Sequence, residues 1–404
     1  MQPDNTVQPR NLFEQLYLSL GQAQSKQLFA AMTATTTGQS RPSLTTAVAI
    51  SIAVAVHCVT IMLAIAGCWL LLRTELNPFL LLLGVLCLGL AWIVCPRLNR
   101  EPASVASPDQ FPVLYQLTNQ IAQQLGAKPV RNIVIDHHFN ASFHEVGWRQ
   151  QPVVTIGLPL FAILTPQEQI AILAHELAHG VNGDPRRGFL IGSAVRSLQQ
   201  WHQLCLPDSL QRETGRYAIG TTTGFLVYAS QSLANVLMRG CSRAPWLGAY
   251  LLSHLLWRDS QRAEYYADWL AARVGGTAAA LTALDKLHLE NVVALTVQHV
   301  AIEANAQRSR NGVSFVKTLR RNVAQLPARE VERIRRVETL QNARLDVTHP
   351  PTPYRIQFLR SRPHAVGCVS LSEADAVALE QELFSMEQRI ARELVDQYRS
   401  QLYY

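Results

Sequence analysis

Between Ser43 and Leu72 the chain carries no charged side chain and runs apolar through Ile50, Ile52, Val54, Val56, Ile61, Leu63 and Leu70. Such a run exceeds the roughly 20 apolar residues a helix needs to cross a bilayer. A second uncharged run extends from Pro78 to Val94, and residues 73–77 form a tight connection between them. The pair reads as a transmembrane helical hairpin over residues 43–96. It also explains why 48% of the 404 residues are hydrophobic while only 16% are charged, which is lean for a soluble protein. Residues 1–42 are mostly polar and too long a lead for a cleaved signal peptide. His57, inside the first run, is expected to pack in the helix pair.

Basic residues set the expected orientation. Arg10, Lys26 and Arg41 precede the first span and Arg97 and Arg100 follow the second, while Arg73 in the connecting loop is offset by Glu75. The positive-inside rule then places the N-terminal segment and everything after the hairpin on the cytoplasmic side of a cell inner membrane. The net charge is +7, with Arg308, Arg310, Lys317, Arg320, Arg321, Arg333, Arg335 and Arg336 concentrated in one region. No binding module or interleaved aromatic accompanies them, so a solvated helix face or attraction to the lipid bilayer is expected rather than nucleic acid. Four of the seven cysteines (Cys58, Cys68, Cys87 and Cys95) lie in the hairpin, leaving no disulfide framework.

Chemistry enters at His175-Glu176-Leu177-Ala178-His179. Two imidazoles four residues apart share one helical face and can converge on one ion, with Glu176 beside that ion as a proton acceptor. The flanks favour a helix. Thr165 can cap, Pro166 suits the first position, and Glu168 completes a capping box. Gly180 is expected to end the helix. Ile170, Leu173 and Leu177 make it apolar on most sides, where two histidines would be costly to bury without a partner. A hydrolytic zinc site needs a third protein ligand and an open position. Glu264 and Asp268, again four apart, are the best candidates. One can bind the metal while the other accepts a hydrogen bond from a ligating imidazole.

These motifs, with Arg262-Ala263-Glu264-Tyr265-Tyr266-Ala267-Asp268 and Thr348-His349-Pro350-Pro351-Thr352-Pro353-Tyr354-Arg355, resemble the membrane-bound zinc metallopeptidases of the HtpX and CAAX-prenyl-protease group over residues 110–360. The resemblance implies an α+β, predominantly helical fold with a gluzincin-type core, a small β-sheet and the N-terminal transmembrane hairpin. It implies one zinc ion per chain held by His175, His179 and Glu264, with Asp268 supporting a ligating histidine. His349 and Arg355 would line the active site, His349 as oxyanion donor and Arg355 assisting it or locking a carboxylate such as Glu264 or Asp268. Asn140 and Ala141 would border the substrate cleft on an edge strand. Read from the residues alone, Ile133–Ile135 and Val153–Ile156 are strands flanking a turn near Gly147–Gln150, and His137, His138 and His144 are surface histidines.

The expected layout is a cytoplasmic N-terminal segment 1–42, the hairpin 43–96, a metallopeptidase core 97–275 and a helical region 276–404 completing the site. Residues 217–257 are a candidate helical pair, either membrane-associated or buried in a soluble fold. Residues 372–398 read as one amphipathic helix. The implied activity is endoproteolysis of protein or peptide substrates, membrane proteins among them, in HtpX-like quality control. Prenyl-protein processing and a non-catalytic membrane scaffold or chaperone are the alternatives.

Overall fold

The computed structural model describes residues 23, 25–34, 44–73, 77–95, 102, 104–147, 149–181, 184–206, 222–307, 315–341 and 349–403. Arg10, Arg41, Arg97, Arg100, Arg308 and Arg310, together with Glu75, Thr348 and residues 217–221, lie outside them. The chain divides into two compact units, one of residues 41–98 and 186–259, the other of residues 1–40, 99–185 and 260–404.

The first unit begins with α1 (Leu44–Leu72) and α2 (Pro78–Val94). Asn77 caps α2 by accepting a hydrogen bond from Phe79 N, with proline at the first position. The helices approach closely where Gly67 faces Gly84. A Cβ on Gly67 would stand 2.7 Å from Leu88 Cγ, and one on Gly84 2.9 Å from Leu71 Cγ. Small residues at a crossing let two helix backbones approach closely. By length and composition α1 can span a membrane, while α2, at 17 residues, is a shorter apolar helix at the low end of the spanning range. Ile61, Met62, Ile65, Trp69, Leu86 and Trp92 all point outward.

Two further helices complete this unit, α6 (Asp184–Leu204) and the first part of α7 (Thr222–Gly275). Ile191, Ala194 and Leu198 of α6 pack against Ala49, Ala53 and Val56 of α1 and Ala249 and Leu252 of α7. The helical pair expected within residues 217–257 is therefore a single helix over its described part, and its partner comes from α6. Pro245 and the charged Arg239 and Arg243 interrupt the apolar pattern without breaking the helix. His57 makes a polar contact with α6, its Nε2 lying 3.0 Å from Leu190 O and 3.1 Å from Ser193 Oγ.

The second unit holds a three-stranded sheet in the order β1 (Asn132–Asp136), β3 (Gln151–Gly157), β2 (Ala141–Val146). Central β3 runs parallel to β1 and antiparallel to β2, with Phe143 opposite Val154 and Ala141 opposite Ile156. The β2–β3 turn places Gly147 at φ 67° and Gln150 at φ 48°, the left-handed region that glycine accepts readily. Helix α3 (Pro112–Leu125), which precedes the sheet, and α4 (Leu158–Ile163) and α5 (Pro166–Val181), which follow it, share one core with it. There Leu114, Ile121, Ile133, Val154, Phe161 and Leu173 are fully buried. Each such side chain contributes about 1.5–3 kcal/mol relative to exposure.

Beyond α7 come α8 (Thr277–Leu287), α9 (Glu290–Gln307), α10 (Phe315–Ala324), α11 (Ala328–Gln341), α12 (Thr352–Arg360), α13 (Glu373–Ser385) and α14 (Glu387–Tyr403). The tail expected as one amphipathic helix is thus two. Met386 ends α13, and buried Glu387 turns inward to accept a hydrogen bond from Val316 N. Leu379, Leu383 and Ile390 reach the core. Much of the basic cluster is paired: Arg320 with Glu380, Arg333 with Glu330, Arg335 with Asp285 and Arg336 with Glu332. The described chain is mostly helical with one small sheet, an α+β arrangement.

Candidate active site

α5 carries the central motif and is anchored at its start by several polar contacts. Thr165 N donates to Glu168 Oε2 at 2.7 Å and Glu168 N to Thr165 Oγ1 at 3.4 Å, the reciprocal capping box. Lys286 Nζ donates to Glu168 Oε2 at 2.6 Å and to Ile163 O at 2.9 Å. Gln167 Nε2 donates to Gly275 O at 2.8 Å and to Val369 O at 2.9 Å, tying α5 to the end of α7. Neither Lys286 nor Gln167 carries a motif, so sequence reasoning had no signal for this anchoring. Gly180 does not end α5, which continues to Val181. Its role is spatial, because a Cβ there would stand 2.9 Å from Phe143 Cζ on β2.

On this helix His175 is buried and His179 and Glu176 are half-buried. The imidazoles meet edge to face, their centroids 5.0 Å apart. From α7, Glu264 brings its carboxylate to both: Oε2 lies 3.4 Å from His175 Nε2 and Oε1 3.5 Å from His179 Nε2. One ligand atom from each of His175, His179 and Glu264 falls within 4.8 Å of the others. Asp268, one turn further along α7, takes the opposite edge of the same ring, with Oδ1 2.9 Å from His175 Nδ1. The two nitrogens of His175 thus face two carboxylates four residues apart on one helix.

α12 supplies Arg355, which is buried and grips Asp268 through Nε–Oδ2 at 2.8 Å and Nη2–Oδ1 at 2.7 Å. The same Nη2 lies 3.4 Å from both ring nitrogens of His175 and 3.7 Å from Glu264 Oε2. Of the two carboxylates within reach, Arg355 pairs closely with Asp268 and lies further from Glu264. His349 Nδ1 lies 2.8 Å from Glu264 Oε2, and its side chain is 53% exposed against 5% for Glu264, placing it at the rim. Asn140 is exposed at the head of β2, with its carbonyl accepting from Gly157 N at 2.8 Å, and Ala141 is the first residue of the strand. The His137 and His138 rings lie 4.2 Å apart with their planes tilted by 38°, half-buried and exposed respectively. His144 is half-buried and its pKa is lowered by that burial.

The electrostatics follow from burying three carboxylates near one permanent cation. Burial opposes a charge on His175, but hydrogen bonds to Asp268 and Glu264 outweigh it and push the imidazole up to about 10. For Glu264 burial pushes upward, yet His175 and His349 hold the carboxyl well below the usual range. Asp268 is likewise held low against burial, chiefly by Arg355. Glu176 moves the other way: burial raises its pKa, and the adjacent imidazoles only partly offset it.

The residues fit a divalent metal ion. Two imidazole nitrogens and a carboxylate oxygen converge, a donor set suited to such an ion. The Nδ1 contact to Asp268 orients His175 with its Nε2 toward the cluster, the usual support for a ligating histidine.

Comparison with known proteins agrees with this arrangement. Residues 108–363 match the model of peptidase family M48. The chain is 25% identical over 261 residues to "Protease HtpX homolog" of Pyrobaculum calidifontis, covering 64% of this chain and 70% of that protein. It is 24% identical over 258 residues to the homolog from Pyrobaculum aerophilum, covering 63% and 68%. To "Protease HtpX" of Pseudomonas putida it is 25% identical over 178 residues, covering 44% and 56%. No solved structure gives a significant match. With the family match covering both the His175–His179 helix and the segments that bring Glu264, Asp268 and Arg355 to it, the chain belongs to peptidase family M48 and is a metallopeptidase.

Proposed function

We propose that this metallopeptidase is a membrane-bound zinc endopeptidase that cleaves protein substrates at the cytoplasmic face of a cell inner membrane, in an HtpX-like quality-control role. The observation that carries the reading is the convergence of His175, His179 and Glu264 with the Glu176 carboxylate beside them. These three would hold one zinc ion, which supplies a Lewis acid and an activated water when bound.

The chain's own groups would do the rest. Glu176, its pKa raised by burial, accepts the proton of the attacking water and passes it to the leaving amine. Asp268, fixed by Arg355, keeps His175 in one tautomer and orientation. His349 engages Glu264 through Nδ1 and keeps Nε2 for the oxyanion of the tetrahedral intermediate. Both nitrogens donate only when the ring is protonated. An extended substrate would add as a further strand beside Asn140 and Ala141, because among the described residues β2 pairs only with β3 and leaves its other edge available.

The length and apolar surface of α1, with the hairpin to α2, support membrane insertion through two spans. The basic residues flanking the hairpin support a cytoplasmic catalytic unit. Likeness to proteins named Protease HtpX favours quality control over prenyl-protein processing.

The test is cleavage of casein and of a membrane protein by the purified full chain in detergent. Activity should vanish with a chelator and return with zinc. Cleavage that persists at zero bound metal would overturn the reading.

A further inference from the structure

The family match begins at residue 108, yet a segment far upstream of it is built into the same unit as the site. Residues 25–34 are helical, with Ser25, Leu28 and Met32 buried along one face. Leu28 and Met32 share a core cluster with Tyr265, Phe358 and Leu359. Half-buried Phe29 stacks on Tyr354, the ring centroids 5.2 Å apart and the planes 19° from parallel. Arg362 donates to the Met32 carbonyl and lays its guanidinium over Phe358, 4.6 Å from the ring centroid.

Among these partners, Tyr354 on α12 and Tyr265 on α7 are each next in the chain to a residue of the site. Tyr354 precedes Arg355, and Tyr265 follows Glu264. Tyr265 and Phe358 also meet edge to face at 5.0 Å, so the segment, α12 and α7 form one packed stack. At nine residues α12 is too short to hold itself in place, so its packing partners set where Arg355 points.

We propose that the helical segment 25–34 is a positioning element of the metallopeptidase site, with Phe29 its principal positioning residue. By bracing Tyr354 it holds Arg355 on Asp268, and through that carboxylate it fixes the orientation of His175. The inference rests on the assignment of Asp268, Arg355 and His175 to the active site. It gives this chain a dependence on its N-terminal segment that residues 108–363 do not contain.

The experiment is a double-mutant cycle on the full chain in detergent, zinc-loaded, with casein as substrate and zinc content and melting temperature measured on each preparation. F29A should lower kcat by about 10-fold, the low end for losing a ligand-orienting contact. Its KM should change little, and zinc affinity by chelator competition should fall. F29Y, which keeps the stacked ring, should restore kcat. On an R355K background F29A should lower kcat less than about twofold, because residues acting through one another are not additive. A lower melting temperature with full kcat per folded molecule would reduce the segment to ordinary packing and overturn the proposal. So would an equal loss of kcat in both backgrounds. E176Q run alongside separates the two layers. If E176Q still cleaves, the active-site assignment falls and this inference with it. An inactive E176Q beside a fully active F29A overturns this inference alone.

Discussion

Arg355 and Asp268 form a buried two-pronged pair, Nε–Oδ2 at 2.8 Å and Nη2–Oδ1 at 2.7 Å, on the carboxylate that also receives His175 Nδ1 at 2.9 Å. A helix that follows the rest of the site in sequence thereby reaches, through one carboxylate, an imidazole on α5. The pair's value lies in geometry, since burying two charges seldom stabilises by itself.

Asp268→Asn should keep the shape of this relay but weaken its pull on His175 and leave Arg355 only the more distant Glu264 carboxylate as counter-charge. Zinc affinity is expected to fall about 10- to 100-fold, as for other lost ligand-orienting contacts. Arg355→Lys keeps the charge but cannot reproduce the fork, so it should show a smaller loss in the same direction. Zinc titration against a competing chelator measures both. Equal affinity in wild type and Asp268→Asn would detach Asp268 from the site.

Glu176→Gln should abolish proteolysis while leaving about one zinc per chain, because the proton acceptor is lost and the proposed ligands remain. Elemental analysis and casein cleavage on one preparation decide it. Retained cleavage with full zinc would sink the mechanism.

A pH dependence follows from His175. Its imidazole is pushed up to about 10 once burial is outweighed by Asp268 and Glu264, so over most of the neutral range the cluster holds a proton that a metal must displace. The sign is that zinc binds more tightly as pH rises. For an ordinary histidine the gain would level off above about 6.5; here it should continue toward about 10. A zinc-binding curve that is flat from neutral pH upward would remove this proton from the site.

Much of the site was legible because its residues sit at helical spacing: His175 with His179, and Glu264 with Asp268, each four apart on one helix. The capping box of Thr165 and Glu168 was equally plain. β1 and β3 announced themselves as apolar runs. β2 did not, because it is a half-buried edge strand with polar residues on it, and only the family resemblance pointed to a strand there. Gly180 looked like a helix stop because a glycine's need for close packing against Phe143 leaves no local trace. The break at Met386 was hidden for the same reason: Glu387 turns inward to serve Val316 N from a distant element. The choice of Asp268 over Glu264 as the partner of Arg355 likewise depends on tertiary packing. The N-terminal helix was missed because its apolar face, Leu28, Phe29 and Met32, is short and set among polar residues.

His349 separates catalytic from structural roles most sharply. Its Nδ1 lies 2.8 Å from Glu264 Oε2 while most of the ring faces solvent, so it touches the proposed ligand set from outside. If Nε2 donates to the oxyanion, its contribution exists only in the transition state. His349→Ala should then lower kcat about 10²- to 10³-fold, as for loss of one oxyanion donor, with KM nearly unchanged. Were His349 instead mainly a brace for Glu264, the same substitution would lower zinc affinity first, and added zinc would rescue much of the rate. A role limited to stiffening the turn before Pro350 and Pro351 would lower the melting temperature and spare the rate per folded molecule. Measuring kcat at saturating zinc, zinc affinity and melting temperature on one preparation distinguishes the three, and an unchanged kcat there would exclude His349 from the chemical step.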